Sequence, residues 1–320
     1  MHRIDSLELL LSSGLDLSKP FSTSTADEAG VARSHRTRLL AEGLLRTPIQ
    51  GVMYAAHLDD TLDLRLECVR LAVPADAVVT DRTAGWLHGA SMVLAPGDHL
   101  RTPRVAAFQP PGKRLRNGLT DSGERGLTSE DVVVLGGLRV TTALRTACDL
   151  GRLLRRDAAW AALDSMLRLG AFSQAALIAE VERFRGYRGV RQLRVFAPLA
   201  DADSESFGES VLRLRWYDAG LAARPETQVV VRFEDGRHAR LDVASRERRY
   251  AAEYDGEEFH GEAATEHDAR RRARISDEGW VIDVFTRRNV FGRQQDAIRT
   301  LRTGFRRASL IAATAPGRRT

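Results

Sequence analysis

The chain has 320 residues, 43% apolar and 28% charged, with a formal net charge of +5, so it accommodates two or three domains with cores of their own and is neither disordered nor fibrous. No apolar run approaches the roughly 20 residues that span a bilayer, the start Met1–Ser6 lacks the pattern of a secretion signal, and the lone cysteines Cys68 and Cys148 offer neither a disulfide framework nor a thiolate zinc site. A reduced cytoplasm is the expected setting, and the arginine-rich balance permits a nucleic-acid partner without requiring one.

Residues 1–56 read as a small helical unit with a hairpin. An apolar patch at 7–11 predicts a first helix. Residues 24–29 suit a short second helix, Gly30-Val31-Ala32 a tight turn, and residues 34–42 a third helix with Ser34 as its N-cap and Gly43 just past its end. This is helix-turn-helix spacing, and the strands at 44–47 and 52–55 around Pro48–Gly51 have the form of a wing. In the third helix Leu39 and Leu40 face inward, which leaves Arg33, His35, Arg36 and Arg38 as candidate contacts to phosphates or base edges. A basic solvated face with no ligand is the competing reading.

Residues 57–200 predict a mixed α/β middle region and carry no metal or nucleophile pattern. Helices are expected at 61–71 and 84–89, a strand at 104–108, a hairpin of 132–135 and 138–141 around Gly136-Gly137, and helices at 142–154, 157–169 and 173–184. Trp86, His88 and Trp160 read as core or edge residues. Residues 183–194 are strongly basic with two aromatics, a composition that suits a phosphate backbone or a surface linker. The alternating Asp and Ala after Pro198 mark a boundary.

Residues 201–310 form the last predicted domain, followed by a basic tail at 311–320. Ser206 and Glu209 have capping-box spacing. A strand at 227–233, a Glu-Asp-Gly turn, a second strand through Asp242 and a third at 249–255 come next. Then come an arginine-rich helix at 265–278 capped by Thr265, a strand at 280–285 and a basic helix at 293–308. The order is helix, three antiparallel strands, helix, strand, helix. With the third strand alternating, Glu253 and Asp255 share a face, and a turn centred on Arg246 and Glu247 sets Asp242 opposite Ala251 and diagonal to Glu253.

Carboxylates gathered on one face repel one another unless a cation lies between them. Oxygen ligands without thiolates point to Mg2+ or Mn2+, which makes Asp242, Glu253 and Asp255 the candidate metal ligands and hydrolysis of a phosphodiester the candidate chemistry. Solvated acids on strand edges are the alternative. Arg271 and Arg274 on the helix after these strands suit a polyanionic substrate.

Taken together, Ser206-Phe-Gly-Glu209, Arg240-Leu-Asp242, Ala252-Glu-Tyr-Asp-Gly256, His260, Asp268 with Arg271, and Gly279-Trp280 resemble the domain related to the very-short-patch-repair endonuclease, in the PD-(D/E)XK, restriction-endonuclease-like superfamily. The resemblance implies a metal site of Asp242 and Glu253 with Glu209 as a further acid. Asp255 stands where many members carry a lysine, so the residue that orients the attacking water is absent; His260 is the substitute acid or base, or else the domain binds DNA without cutting. Residues 21–55 are similar to the winged-helix N-terminal domain of abortive-infection type IV (AbiEi-like) antitoxins, and the middle region resembles the segment downstream of that domain in actinobacterial proteins of this arrangement. That resemblance implies DNA binding through the region of Arg33–Arg38, with an operator or a toxin as partner. A magnesium-dependent endonuclease and a non-catalytic regulator or antitoxin are therefore the two expected functions.

Overall fold

The computed structural model describes residues 3–93, 103–109, 120–121, 125–256, 262–292 and 296–314. The fold is mixed α+β, and three sheets occur among the described residues. No helix among them is long and apolar enough to cross a membrane.

The first unit comprises α1 (Arg3–Ser12), β1 (Phe21–Ser22), α2 (Thr23–Glu28), α3 (Arg33–Ala41), β2 (Leu45–Ile49) and β3 (Val52–Ala55), with strand order β1-β3-β2. Ser22 caps α2 by accepting the Thr25 N–H at 3.0 Å. Gly30, at φ 77°, turns the chain into α3. Here the expected cap is corrected: α3 begins one residue before Ser34, with Ala32 at its N-cap and no side-chain bond there. The Ala32 carbonyl already accepts the His35 and Arg36 N–H groups at 2.9 and 3.0 Å, so Ser34 lies within the first turn, on the exposed side. Leu39 is buried, whereas Leu40 stays exposed. In the hairpin the register shifts between Arg46 and Ile49, where Pro48 has no N–H to donate.

The middle region contains α4 (Leu62–Arg70), β4 (Val78–Val79), α5 (Asp81–Leu87), β5 (Val105–Phe108), β6 (Thr120–Asp121), β7 (Val132–Leu135), β8 (Leu138–Thr141), α6 (Ala143–Leu153), α7 (Arg156–Arg168), α8 (Gln174–Glu180) and α9 (Val190–Phe196). Its sheet runs β6-β5-β4-β8-β7. The β7–β8 hairpin turns on Gly136 and Gly137, both at positive φ as a tight two-residue turn requires. Ile49, Val52 and Tyr54 of the first hairpin share one buried cluster with Leu64, Val79, Val105 and Val140, so the hairpin packs on this sheet. Beside it lies a buried ionic network: Asp149, fully buried, accepts from Arg125, Arg145 and Arg152, and Asp131 from Arg145 and Arg183. Burial pushes the Cys68 thiol up to about 12 and raises Cys148 as well, which leaves both inert near neutrality.

The last unit runs α10 (Phe207–Asp218), β9 (Glu226–Arg232), β10 (His238–Ser245), β11 (Tyr250–Asp255), α11 (Glu262–Asp277), β12 (Val281–Thr286), α12 (Arg287–Val290) and α13 (Ala297–Thr314). The major elements keep the expected order, with the one-turn α12 inserted before the last helix. Strand order is β12-β11-β10-β9, and β11 and β12 are parallel. Tyr250 and Ala252 pack with α10 and α13 on one face, while Ala251 meets Ile275 of α11 on the other.

The last unit is not set apart from the middle region. Three ion pairs link α7 to α10: Arg156 with Asp218, Arg215 with Asp157, and Arg213 with Asp164. The last pair is fully buried, with Arg213 Nη2 donating to both Asp164 oxygens at 2.7 and 2.8 Å, and its guanidinium lies 4.4 Å from the Trp160 ring centre.

Candidate functional site

On α3 the four basic candidates separate. Arg33 is exposed, Arg38 is half-exposed and His35 is half-buried. Arg36 is buried at 8% exposure, donating to the Val31 carbonyl at 2.7 Å and pairing with Asp27. Its availability to DNA is thus a corrected expectation: the carbonyl left open by the turn and the Asp27 carboxylate draw the guanidinium inward, and Arg36 fixes α3 against α2. Ser34 and Thr37 lie exposed one turn apart beside Arg33 and were missed. Small hydroxyl residues flanked by arginine are the available signal for base-edge contacts.

The hairpin tip is tied down. The Gln50 N–H donates to the Pro103 carbonyl at 2.9 Å, and Arg104 Nε to Gln50 Oε1 at 3.2 Å. Exposed Arg46 on β2 adds a further basic group on this unit.

In the last unit the hairpin register is corrected. A four-residue turn replaces the expected two-residue one, with Arg249 at φ 47°. Val243 pairs with Ala252 and Ala244 with Ala251, so the register carried one step further sets Asp242 opposite Glu253. The shift of two residues keeps the faces unchanged. There the pairing ends, and Asp242 Oδ2 accepts the Tyr254 N–H at 2.8 Å. Burial and the nearby Glu209 and Glu253 charges push the Asp242 carboxyl up to about 7, against the opposing Tyr254 N–H.

Glu209 lies at the start of α10, whose Ser206 cap accepts its N–H at 3.1 Å. Its own carboxylate accepts from the Glu205 N–H at 3.0 Å, not from Ser206, and from Gln228 Nε2 at 2.9 Å. Gln228 has φ 50°, a strained conformation beside the acids. Glu253 is 7% exposed, and both its oxygens accept from Arg271, at 2.8 and 3.0 Å. Asp255 lies 3.7 Å from Arg272. Arg274 bonds Asp235 at 2.7 Å and stacks on Phe233. His260 lies outside the described residues.

Asp242, Glu209 and Glu253 are thus neighbours, with Asp242 Oδ2 bound to a backbone N–H, Glu209 Oε2 to the Glu205 N–H and Gln228, and both Glu253 oxygens to the Arg271 guanidinium. Among the described residues no three His, Cys, Asp or Glu side chains are placed to hold a metal ion. As arranged, these side chains do not fit one: Arg271 supplies the positive charge that a divalent ion would bring.

Two curated relatives match much of the chain: the uncharacterized proteins MT2308 and Rv2248 of two Mycobacterium tuberculosis strains. Each is 32% identical over 239 residues, which cover 72% of this chain and 81% of the relative. The chain belongs to their family. Residues 76–199 also match the model of the AbiEi antitoxin C-terminal domain. The matched region runs from just before β4 to the turn after α9 and contains the Asp131–Asp149 ionic network. Neither α3 nor the carboxylate cluster falls within it.

Proposed function

We propose that this protein is a DNA-binding regulator of the antitoxin type, which binds operator DNA through α3 and a cognate toxin through the remainder of the chain. The match of residues 76–199 to the AbiEi antitoxin domain supports the class. The observation that carries the DNA-binding reading is the exposed row of Arg33, Ser34 and Thr37 on α3, held in place by the inward Arg36. Arginine on phosphates with the Ser34 hydroxyl toward base edges is a workable division of labour for such a helix, in which the Thr37 hydroxyl donates to the Arg33 carbonyl at 3.0 Å and offers its methyl group and an acceptor. In this reading the last unit, which resembles the repair-endonuclease domain, contributes binding surface and no cleavage, consistent with Arg271 occupying Glu253.

The test is a fluorescence-anisotropy titration of the full chain with duplex DNA from upstream of its own gene, in chelator. Binding that persists without metal, weakens steeply with salt and is lost in Arg33→Glu supports the proposal. Sequence-selective binding unchanged in Arg33→Glu overturns it.

Metal-dependent cleavage is the second reading, favoured by the raised Asp242 beside Glu209 and Glu253. It requires Arg271 to release Glu253 so that Mg2+ or Mn2+ has donors. Plasmid nicking in magnesium that disappears in Asp242→Ala supports this reading; absence of nicking, or nicking that survives the substitution, removes it.

A further inference from the structure

The corner where α7 begins, α10 begins and α12 ends encloses a cleft of about 450 Å³, within the size range of small-molecule sites. Phe207 and Phe291 form one wall, with ring centres 5.8 Å apart and planes 28° from parallel. Four charged side chains also line the cleft and separate into two kinds. Arg156 is neutralised by Asp218, and Asp157 by Arg215. Arg155 and Arg287 are exposed and have no acidic partner among the described residues. The first turn of α7 adds open backbone donors, since its N-cap Arg155 makes no side-chain capping bond.

We propose that this cleft binds a nucleotide, with the base against the Phe207–Phe291 wall and the phosphate between Arg155 and Arg287. Two uncompensated guanidiniums alone suit any anion; the aromatic rings in the same cleft narrow the class to an anion bearing a flat, weakly polar group. A free mononucleotide and the terminal nucleotide of a single strand both present that chemistry. The cleft involves neither α3 nor the carboxylate cluster, so the proposal stands or falls apart from the DNA-binding and cleavage readings.

The experiment is calorimetric titration of the full chain with AMP, with inorganic pyrophosphate, and with a short 5′-phosphorylated single strand. AMP is expected to bind and pyrophosphate to bind at least about tenfold more weakly, because only AMP gains from the rings. Arg155→Glu and Arg287→Glu, both on exposed side chains, are expected to weaken AMP at least about tenfold while leaving the melting temperature unchanged. A strand that binds tighter than AMP assigns the cleft to strand ends, and one that binds no tighter assigns it to free nucleotide; both outcomes support the proposal. Pyrophosphate binding as tight as AMP, AMP binding indifferent to both arginine substitutions, or no binding of AMP and strand at millimolar concentration overturns it.

Discussion

Among the arginines, what distinguishes a structural side chain from one available to DNA is where its guanidinium ends. Arg36 and Arg33 are three residues apart on one helix, yet one is buried on Val31 and Asp27 and the other faces solvent. Arg36→Ala should therefore lower the melting temperature, with a loss on the order of 2 kcal/mol, because a buried carbonyl and Asp27 lose their partner. Arg33→Glu should leave melting unchanged and abolish DNA binding; thermal denaturation beside anisotropy separates the two. Asp242 gives a pH signature. Its carboxyl is raised from an ordinary value near 4 to about 7 by burial first and by Glu209 next. The folded state therefore holds a proton that the unfolded state releases in this window, so the contribution of Asp242 to stability falls as pH rises from about 4 to about 7 and is level above. Asp242→Asn keeps an acceptor for the Tyr254 N–H and removes the charge. Its stabilisation over the parent should grow across that window to on the order of 2 kcal/mol, less whatever solvent relieves at the partly exposed carboxylate. Urea melts at several pH values check it; a gain independent of pH contradicts the assignment.

At the scale of elements, close approach decides more than propensity does. A Cβ on Gly208 would stand 2.0 Å from the Tyr254 ring, so α10 can lie on β11 only with glycine there. Gly208→Ala should cost about 1–3 kcal/mol through overpacking, seen as a lower melting temperature with Glu209 displaced from Gln228. Much at this scale was legible in the sequence. The strand alternation of Tyr250–Asp255 and the Gly136-Gly137 turn come from residue type and period alone. Ser34 misled because a serine before an apolar helix reads as a cap whether or not the preceding turn has already reached helical geometry. The Asp242 register misled because turn length is set by the Arg249 conformation, which no residue-type preference marks. The proximity of Asp242 and Glu253 was legible from strand alternation, whereas Asp255 lies near Arg272 and the Arg271 partner of Glu253 was read as a substrate contact, since a pairing across 18 residues leaves no local trace.

At the scale of the molecule, part of the charge that looks like an invitation to nucleic acid is spent on holding the fold together. Arg145, Arg152, Arg183, Arg213 and Arg215 all close internal ion pairs, so the basic balance of the sequence overstates the surface available to a phosphate chain. Composition led to the expectation of a boundary after residue 200 but carried no sign of the ion pairs that tie α7 to α10. Arg213→Met leaves Asp164 buried without its counter-charge and should cost about 3–5 kcal/mol. Arg213→Met with Asp164→Leu should recover most of that, since two apolar groups can replace the pair. Denaturation of the two variants measures the difference, and equal losses in both would show that the pair does not join α7 to α10.

That seam changes what a break in the backbone would do. Trp160 sits edge-on to Tyr217 at 5.6 Å across it, beside the sealed Arg213–Asp164 pair. A protease that cut between residues 201 and 205 would sever the covalent connection and leave these contacts whole. The two fragments should travel together through a sizing column as one nicked particle and separate only in denaturant, so the polypeptide has a crease there and not a detachable part.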